Sequence, residues 1–195
     1  NYNSLNLAGL TTNQATIKKA EYTTTSLTGS KTYNGDANIG GLSLQGVNGE
    51  SFAANGVANS KNAWEASQFT SVTDITGNNG ADSRNYNSLN LAGLTTNQAT
   101  INPAAYTSLT GSKTYNGDAN IGGLRLEGVN GESFAANGVA NSKNVWEASR
   151  FTSVTDITGN NGADSRNYDS QNLVTGLTVN QATINPAAYT SLTGR

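Results

Sequence analysis

The chain repeats itself, and that decides most of what it can become. Lys31-Thr32-Tyr33-Asn34-Gly35 returns as Lys113-Thr114-Tyr115-Asn116-Gly117, 82 positions on (from 31 to 113). Trp64-Glu65-Ala66-Ser67 returns from Trp146 at the same spacing, and Asn85-Tyr86 returns as Asn167-Tyr168, with Asn1-Tyr2 an earlier instance. Asn13-Gln14-Ala15-Thr16-Ile17 occurs three times, the later copies starting at Asn97 and Asn180. A period near 82 residues is too long for a solenoid coil of roughly 20–45 residues. It is long enough for a small domain that folds alone. The chain therefore reads as beads on one thread. Pro103 and Pro186 supply no ladder donor and mark connectors after the strand ends at Asn102 and Asn185. Boundaries are expected near Ala20, Ala104 and Ala187. Residues 1–20 are the closing strands of a truncated preceding module, unsupported or paired with a neighbour. Residues 21–104 and 105–187 are two full modules, and 188–195 begin another.

Within the beads the pattern is that of strands and tight turns. Short runs of Thr, Val, Ile, Tyr and Phe alternate with Asn-Gly pairs at 34–35, 48–49, 55–56 and 79–80, which accept positive φ and read as turns. Leu42-Ser43-Leu44-Gln45 alternates apolar and polar, the period of a half-buried strand. The second copy tests this: Ser43 becomes Arg125 and Gln45 becomes Glu127, while both leucines persist as Leu124 and Leu126. Residues two apart share a face, so the changing pair faces water, where Arg125 and Glu127 can pair. Asn87-Ser88-Leu89-Asn90-Leu91 alternates too, and leads through Gly93 into Ala99-Thr100-Ile101. The stretch Ser60 to Phe69 fits one helical turn or a strand, and the strand formers after Gln68 favour the strand. The expected fold is mainly β: a tandem repeat of small β-rich modules, sandwich-like or β-grasp-like, forming an elongated rod.

Composition removes whole classes of function. With no Cys and no His there is no thiolate or imidazole metal site, no cysteine nucleophile and no Ser-His-Asp triad. A net charge of −2 without a basic run argues against nucleic acid. No apolar run approaches the roughly 20 residues of a membrane span. Charged residues at 12% and hydrophobic residues at 35% leave a chain dominated by Gly, Asn, Ser and Thr. Such a chain has too little apolar material for one large core but enough for two small ones.

Five phrases in order resemble a known family. Lys31-Thr32-Tyr33-Asn34-Gly35 matches its opening Lys-x-Tyr-Asp-Gly, with Asn34 in place of the Asp. Gly46-Val47-Asn48-Gly49-Glu50 matches its Gly-Val-x-Gly-Asp phrase, and Lys143-Asn144-Val145 its Lys-Asn-Val. Gly80-Ala81-Asp82-Ser83-Arg84-Asn85-Tyr86 and Ala99-Thr100-Ile101-Asn102-Pro103 match the remaining two. The chain thus resembles the YDG-type repeats of filamentous haemagglutinin-like exoproteins and large autotransporter adhesins of bacteria. Trp64-Glu65-Ala66 departs from the Gly-rich link usual in that family. The resemblance implies an extracellular β-rich module of a fibrous protein at the bacterial cell surface, associated with the outer membrane, and brings no catalytic residues. On it, Lys31, Tyr33, Gly35, Asn85 and Tyr86, with Lys113, Tyr115, Gly117, Asn167 and Tyr168, are structural motif positions.

Candidate sites each have a plain alternative. Trp64 and Trp146, one per module, could stack on a sugar ring, but core or interdomain packing is the stronger reading. Tyr33 and Tyr86, with their copies Tyr115 and Tyr168, are expected to be buried with bonded hydroxyls. The segments 34–38 and 78–82 hold oxygen ligands that calcium prefers, yet lack an EF-hand spacing and are also what turns require. Asp82 beside Arg84 reads as a capped loop. Lys31 or Lys61 could join an Asn in an isopeptide bond helped by an acid such as Glu65. No nucleophile is coupled to a base, so no enzyme activity and no cofactor are expected. The expected function is a structural stalk that holds a binding region away from the cell. Its partners are neighbouring repeats of the chain and, through the parent protein, molecules of host or neighbouring cells. The rivals are a glycan- or receptor-binding repeat acting by avidity, and self-association of fibres through sheet edges.

Overall fold

The computed structural model describes residues 1–194; Arg195, the end of the expected 188–195 segment, lies outside the described residues. The protein is mainly β, and its strands recur with the sequence repeat. In the first repeat they are β1 (Ser26–Thr32), β2 (Asn38–Gln45), β3 (Ser51–Ala58), β4 (Phe69–Gly77) and β5 (Thr96–Asn102). In the second they are β6 (Ser108–Thr114), β7 (Asn120–Glu127), β8 (Ser133–Ala140), β9 (Phe151–Gly159) and β10 (Val179–Asn185). The helical elements described are single turns, including Leu173–Gly176.

The second repeat forms one five-stranded sheet in the order β10-β6-β7-β8-β9. Its first and last strands lie side by side and parallel, Val179 opposite Ser108 through Asn185 opposite Thr114. The first repeat has the same parallel pair, Ser26 opposite Thr96 through Thr32 opposite Asn102, and the same antiparallel β2-β3-β4 meander. One junction differs. Ser108, Leu109 and Thr110 pair with β7 along the backbone. In the first repeat two extra threonines precede β1, and the hydroxyl of Thr24 accepts from Gln45 N–H at 2.8 Å. A side chain takes the ladder position there, and the backbone pairing between β1 and β2 is interrupted.

The inward-facing residues explain why this pattern folds. Leu27, Ile39, Leu42, Leu44, Phe52 and Phe69 are buried, while Ser43 and Gln45 stand in water as the alternation predicts. Arg125 and Glu127 form the exposed pair expected of them, at 2.8 Å. The connection from β4 to β5 carries Tyr86 into the core, edge-on to Phe52 at 5.1 Å. It also packs Leu89, Leu91 and Leu94 against the core's rim. Asn97 ties the two sheet edges at one end, accepting from Phe69 N–H at 2.8 Å and donating to Phe69 C=O at 3.0 Å.

Several local expectations need correction. Asn55-Gly56 is no turn but lies inside β3. A Cβ at Gly56 would come within 2.6 Å of the Phe69 ring and 2.7 Å of Leu42, so the glycine is there for packing. Asn87–Asn90 forms no strand, and Leu91–Gly93 is a 3-10 turn, because this segment packs through spaced leucines instead of pairing. Ser60–Gln68 is a turn, with the strand starting only at Phe69. The other Asn-Gly pairs keep their reading: Asn48 and Asn79 take φ of 56° and 51°, each followed by a glycine at positive φ. Residues 1–19 are exposed throughout, and the third copy of the β5 sequence, around Ile17, forms no strand because no first strand lies beside it.

Candidate functional site

Three turns on each repeat present the side chains that matter. Between β1 and β2, Lys31 Nζ donates to Asn34 Oδ1 and to the Asp36 carboxylate, both at 2.6 Å, and Gly35 at φ 94° closes the turn. This clasp fixes Tyr33. After β3, Glu65 accepts from Ser60 Oγ at 2.7 Å and from Asn62 Nδ2 at 3.3 Å, setting Asn62 and Trp64 on the same end. At the opposite end, Asp82 caps a 3-10 turn by accepting from Arg84 N–H at 2.9 Å and pairs with the guanidinium at 2.7 Å. The second repeat builds the same turn with Asp164 and Arg166. Each arginine holds its aspartate below the usual carboxylate range.

Where the repeats meet, the two ends interlock. Tyr33 donates to Glu132 at 2.5 Å, and the same carboxylate accepts from Tyr168 at 2.6 Å. The two phenol rings meet edge-on at 5.7 Å. Asn167 accepts from Ala63 N–H at 2.8 Å and donates to Asn62 Oδ1 at 3.1 Å. Arg166 lies over the Trp64 ring, 3.9 Å from its centroid, a cation–π contact. Gly35 is so close to Asn130 that a Cβ would sit 2.2 Å from the amide nitrogen. The connector is held as well, with Ala104 N–H donating to Asn167 C=O at 2.9 Å.

The chain supplies its own control, because each interlocking residue has a copy that no other repeat faces. Tyr33 is 3% exposed and Tyr115 39%; Trp64 is 39% exposed and Trp146 80%. Asn167 is buried, whereas Asn85 is exposed. Gly117 keeps φ at 97°, with open space where Gly35 meets Asn130. Local sequence makes the turns; contact between the repeats makes the burial.

Tyr115 is thus a correction: it is half-exposed, with no contact like the one Tyr33 makes to Glu132. Tyr33, Tyr86 and Tyr168 are buried with bonded hydroxyls as expected, Tyr86 donating to Glu50. Trp64 meets Arg166 across the seam, in line with interdomain packing, but Trp146 is a correction: it is exposed and packs in neither a core nor a seam. In the segments considered for calcium, the side chains of Asn34 and Asp36 are engaged by Lys31, and Asp82 by Arg84. No cluster of three or more candidate metal-ligating His, Asp or Glu occurs among the described residues. Of the lysines considered for an isopeptide bond, Lys31 is held in an ion pair with Asp36, and its copy Lys113 repeats the clasp on Asn116 and Asp118. Glu65, the acid considered for that bond, is engaged by Ser60 and Asn62, whose hydrogen bonds hold it below the usual carboxylate range. Glu132, Arg166 and Asn62 do not stand out in the sequence. Their only signal is the recurrence of a few charges and amides in a chain poor in charge.

The buried phenols give the seam a pH dependence. Burial first, and then the hydrogen bond to Glu132, raises the pKa of both Tyr33 and Tyr168. Burial pushes Tyr106, whose hydroxyl has no partner among the described residues, up to about 12. A phenol with a raised folded-state pKa stabilises the fold fully below its unfolded value of about 10, and that contribution is lost as pH climbs toward the folded value. The thermal midpoint is therefore expected to fall above about pH 10, together with rising phenolate absorbance. Tyr33→Phe should blunt the fall. A midpoint level through this range, or one that falls identically in the variant, contradicts the assignment.

No family model, curated protein or solved structure matches the chain.

Proposed function

We propose that the protein is a pair of structural repeats from the stalk of a large bacterial adhesin, surface-exposed or secreted, holding a binding region away from the cell. The observation that carries this reading is the seam. One repeat's Tyr33, Asn62 and Trp64 fasten to the next repeat's Glu132, Asn167 and Arg166, and every one of these residues is present again in the other copy. A spacer needs one joint repeated; a receptor site needs to occur once. The ordered phrases that resemble YDG-type adhesin repeats support the same reading, for Lys31, Gly35, and Asp164 and Asn167, the copies of Asp82 and Asn85, all belong to the turns that shape the joint. The arrangement calls for no reaction and no cofactor. In this proposal the partners are neighbouring repeats, and cell-surface molecules are reached through other parts of the parent protein.

Small-angle scattering, extrapolated to zero concentration, tests the stalk. Two repeats joined end to end give a rod-like profile, and Asn167→Ala should loosen it into a flexible two-body profile. A compact globule holding both repeats side by side overturns the proposal.

A further inference from the structure

We infer that the two outer faces of this pair of repeats are complementary docking faces, and that a second copy of the chain joins it head to tail through the contacts already made between the repeats. This inference extends the stalk reading but stands on the seam alone.

The head face of the first repeat carries Asn48, Glu50, Arg84, Asn85 and Tyr86. Their copies in the second repeat are Asn130, Glu132, Arg166, Asn167 and Tyr168, identical at every position and all located at the seam. The tail face of the second repeat carries Tyr115, Gly117, Asn144, Val145 and Trp146. These copy Tyr33, Gly35, Asn62, Ala63 and Trp64, with one change. That change, Ala63 to Val145, falls where the seam uses only the backbone N–H. The free turns already have the seam's shape: Gly117 holds φ at 97° as Gly35 holds 94°, and Asp82 caps Arg84 as Asp164 caps Arg166. Association therefore requires no refolding of either face.

The chemistry left open is specific. Trp146 offers an uncovered ring to the guanidinium of Arg84 on another copy. Tyr115 offers a phenol to Glu50, whose carboxylate accepts from one phenol, Tyr86, among the described residues, whereas Glu132 accepts from two. Asn144 and the N–H of Val145 offer Asn85 the two partners that Asn167 has. Each such contact leaves one head and one tail free, so growth is heterologous and open-ended.

Both chain ends lie at the contact: residues 17–20 line the head face beside Glu50, Arg84 and Asn85, and residues 186–189 line the tail face beside Tyr115 and Trp146. The seam holds one connector on that track, so association requires residues 186–189 of one copy, exposed at every position, to leave it to the hydrogen-bonded Ala20 segment of the other. What the intermolecular contact lacks is the covalent connector, which gives the seam an effective concentration of order millimolar. Association between copies should accordingly be weak and rise with concentration.

Sedimentation equilibrium of the full chain tests this, with one variant for each face. Trp146→Arg places a cation against Arg84 and removes the ring; Asn85→Arg places a long side chain where its copy is fully enclosed. Both positions are exposed, so both variants should fold, as an unchanged circular dichroism spectrum and melting midpoint will show. The parent chain should gain mass steadily toward millimolar concentration, and each variant alone should remain monomeric. Mixed in equal amounts, the two should form a dimer and stop, because the pair retains one sound head and one sound tail that fit each other. A parent monomeric at all concentrations overturns the inference. So does growth that both variants retain, which would assign it to sheet edges, or a mixture that stays monomeric. None of these results touches the rod or globule outcome of the scattering experiment, so the two proposals fail separately.

Discussion

Phe134→Ala is expected to destabilise the second repeat by about 3–5 kcal/mol, enough to unfold it under conditions where the first repeat remains native. Phe134 is 1% exposed on β8, the strand between β7 and β9. Its ring stands edge-on to Tyr106 and to Tyr168, 5.2 Å from each, at 89° and 81°. Those two tyrosines stack on each other at 4.6 Å. Truncation removes the ring that orients both, and the cavity cannot close by local collapse because β8 is pinned by ladders on each side. The effect should also reach the seam, since Tyr168 shares Glu132 with Tyr33. Urea unfolding gives the energy and hydrogen exchange its location: protection should vanish from β6–β10 and persist in β1–β5. A loss below about 1 kcal/mol, or equal loss in both repeats, would be inconsistent with a separate, tightly packed core in each.

Asn167→Ala should cost about 1–3 kcal/mol, while Asn85→Ala changes stability by less than about 0.5 kcal/mol. The two residues sit in the same capped turn with the same neighbours in sequence, so intrinsic propensity cancels between them. Asn167 is a buried polar side chain, 2% exposed. Its loss strands the N–H of Ala63 and the amide oxygen of Asn62 in an enclosed seam. Asn85 has no such obligations. Chemical denaturation of both variants, each against the parent, measures the difference directly. Equal effects would mean that the seam adds nothing to the turn's own stability.

Much of the fold is legible in the sequence, for identifiable reasons. The alternation at Leu42 and Leu44 marks the inward face of β2, and the copy-to-copy changes at Ser43 and Gln45 mark the outward one. Asn48-Gly49 and Asn79-Gly80 announce turns because positive φ is costly for most residues. Asn55-Gly56 carries the same letters but lies within a strand, where the glycine accommodates Phe69; local preference yields there to packing. The alternation at Asn87–Leu91 misleads for a related reason, since leucines that rest on a core's rim need no strand to space them. The candidate site is legible only in its parts. Tyr33, Trp64 and Asn167 stand out as repeated residues, yet nothing in the sequence separates Tyr33 from Tyr115 or Asn167 from Asn85. Their difference arises from which neighbour is present, a tertiary property that two identical stretches of sequence cannot express.

The parallel neighbours β1 and β5 determine how a repeat bears tension. A pull on the ends of the first repeat enters at the start of β1 and leaves at the end of β5. Because these strands run the same way side by side, the two forces oppose each other along the strand axis. The ladder from Ser26–Thr96 to Thr32–Asn102 is then loaded in shear, its bonds sharing the force at once instead of peeling in turn. The β2-β3-β4 meander lies off this line and carries none of the load directly. The second repeat places β6 and β10 in the same arrangement, so the chain is two shear clamps in series, with the seam as the joint between them.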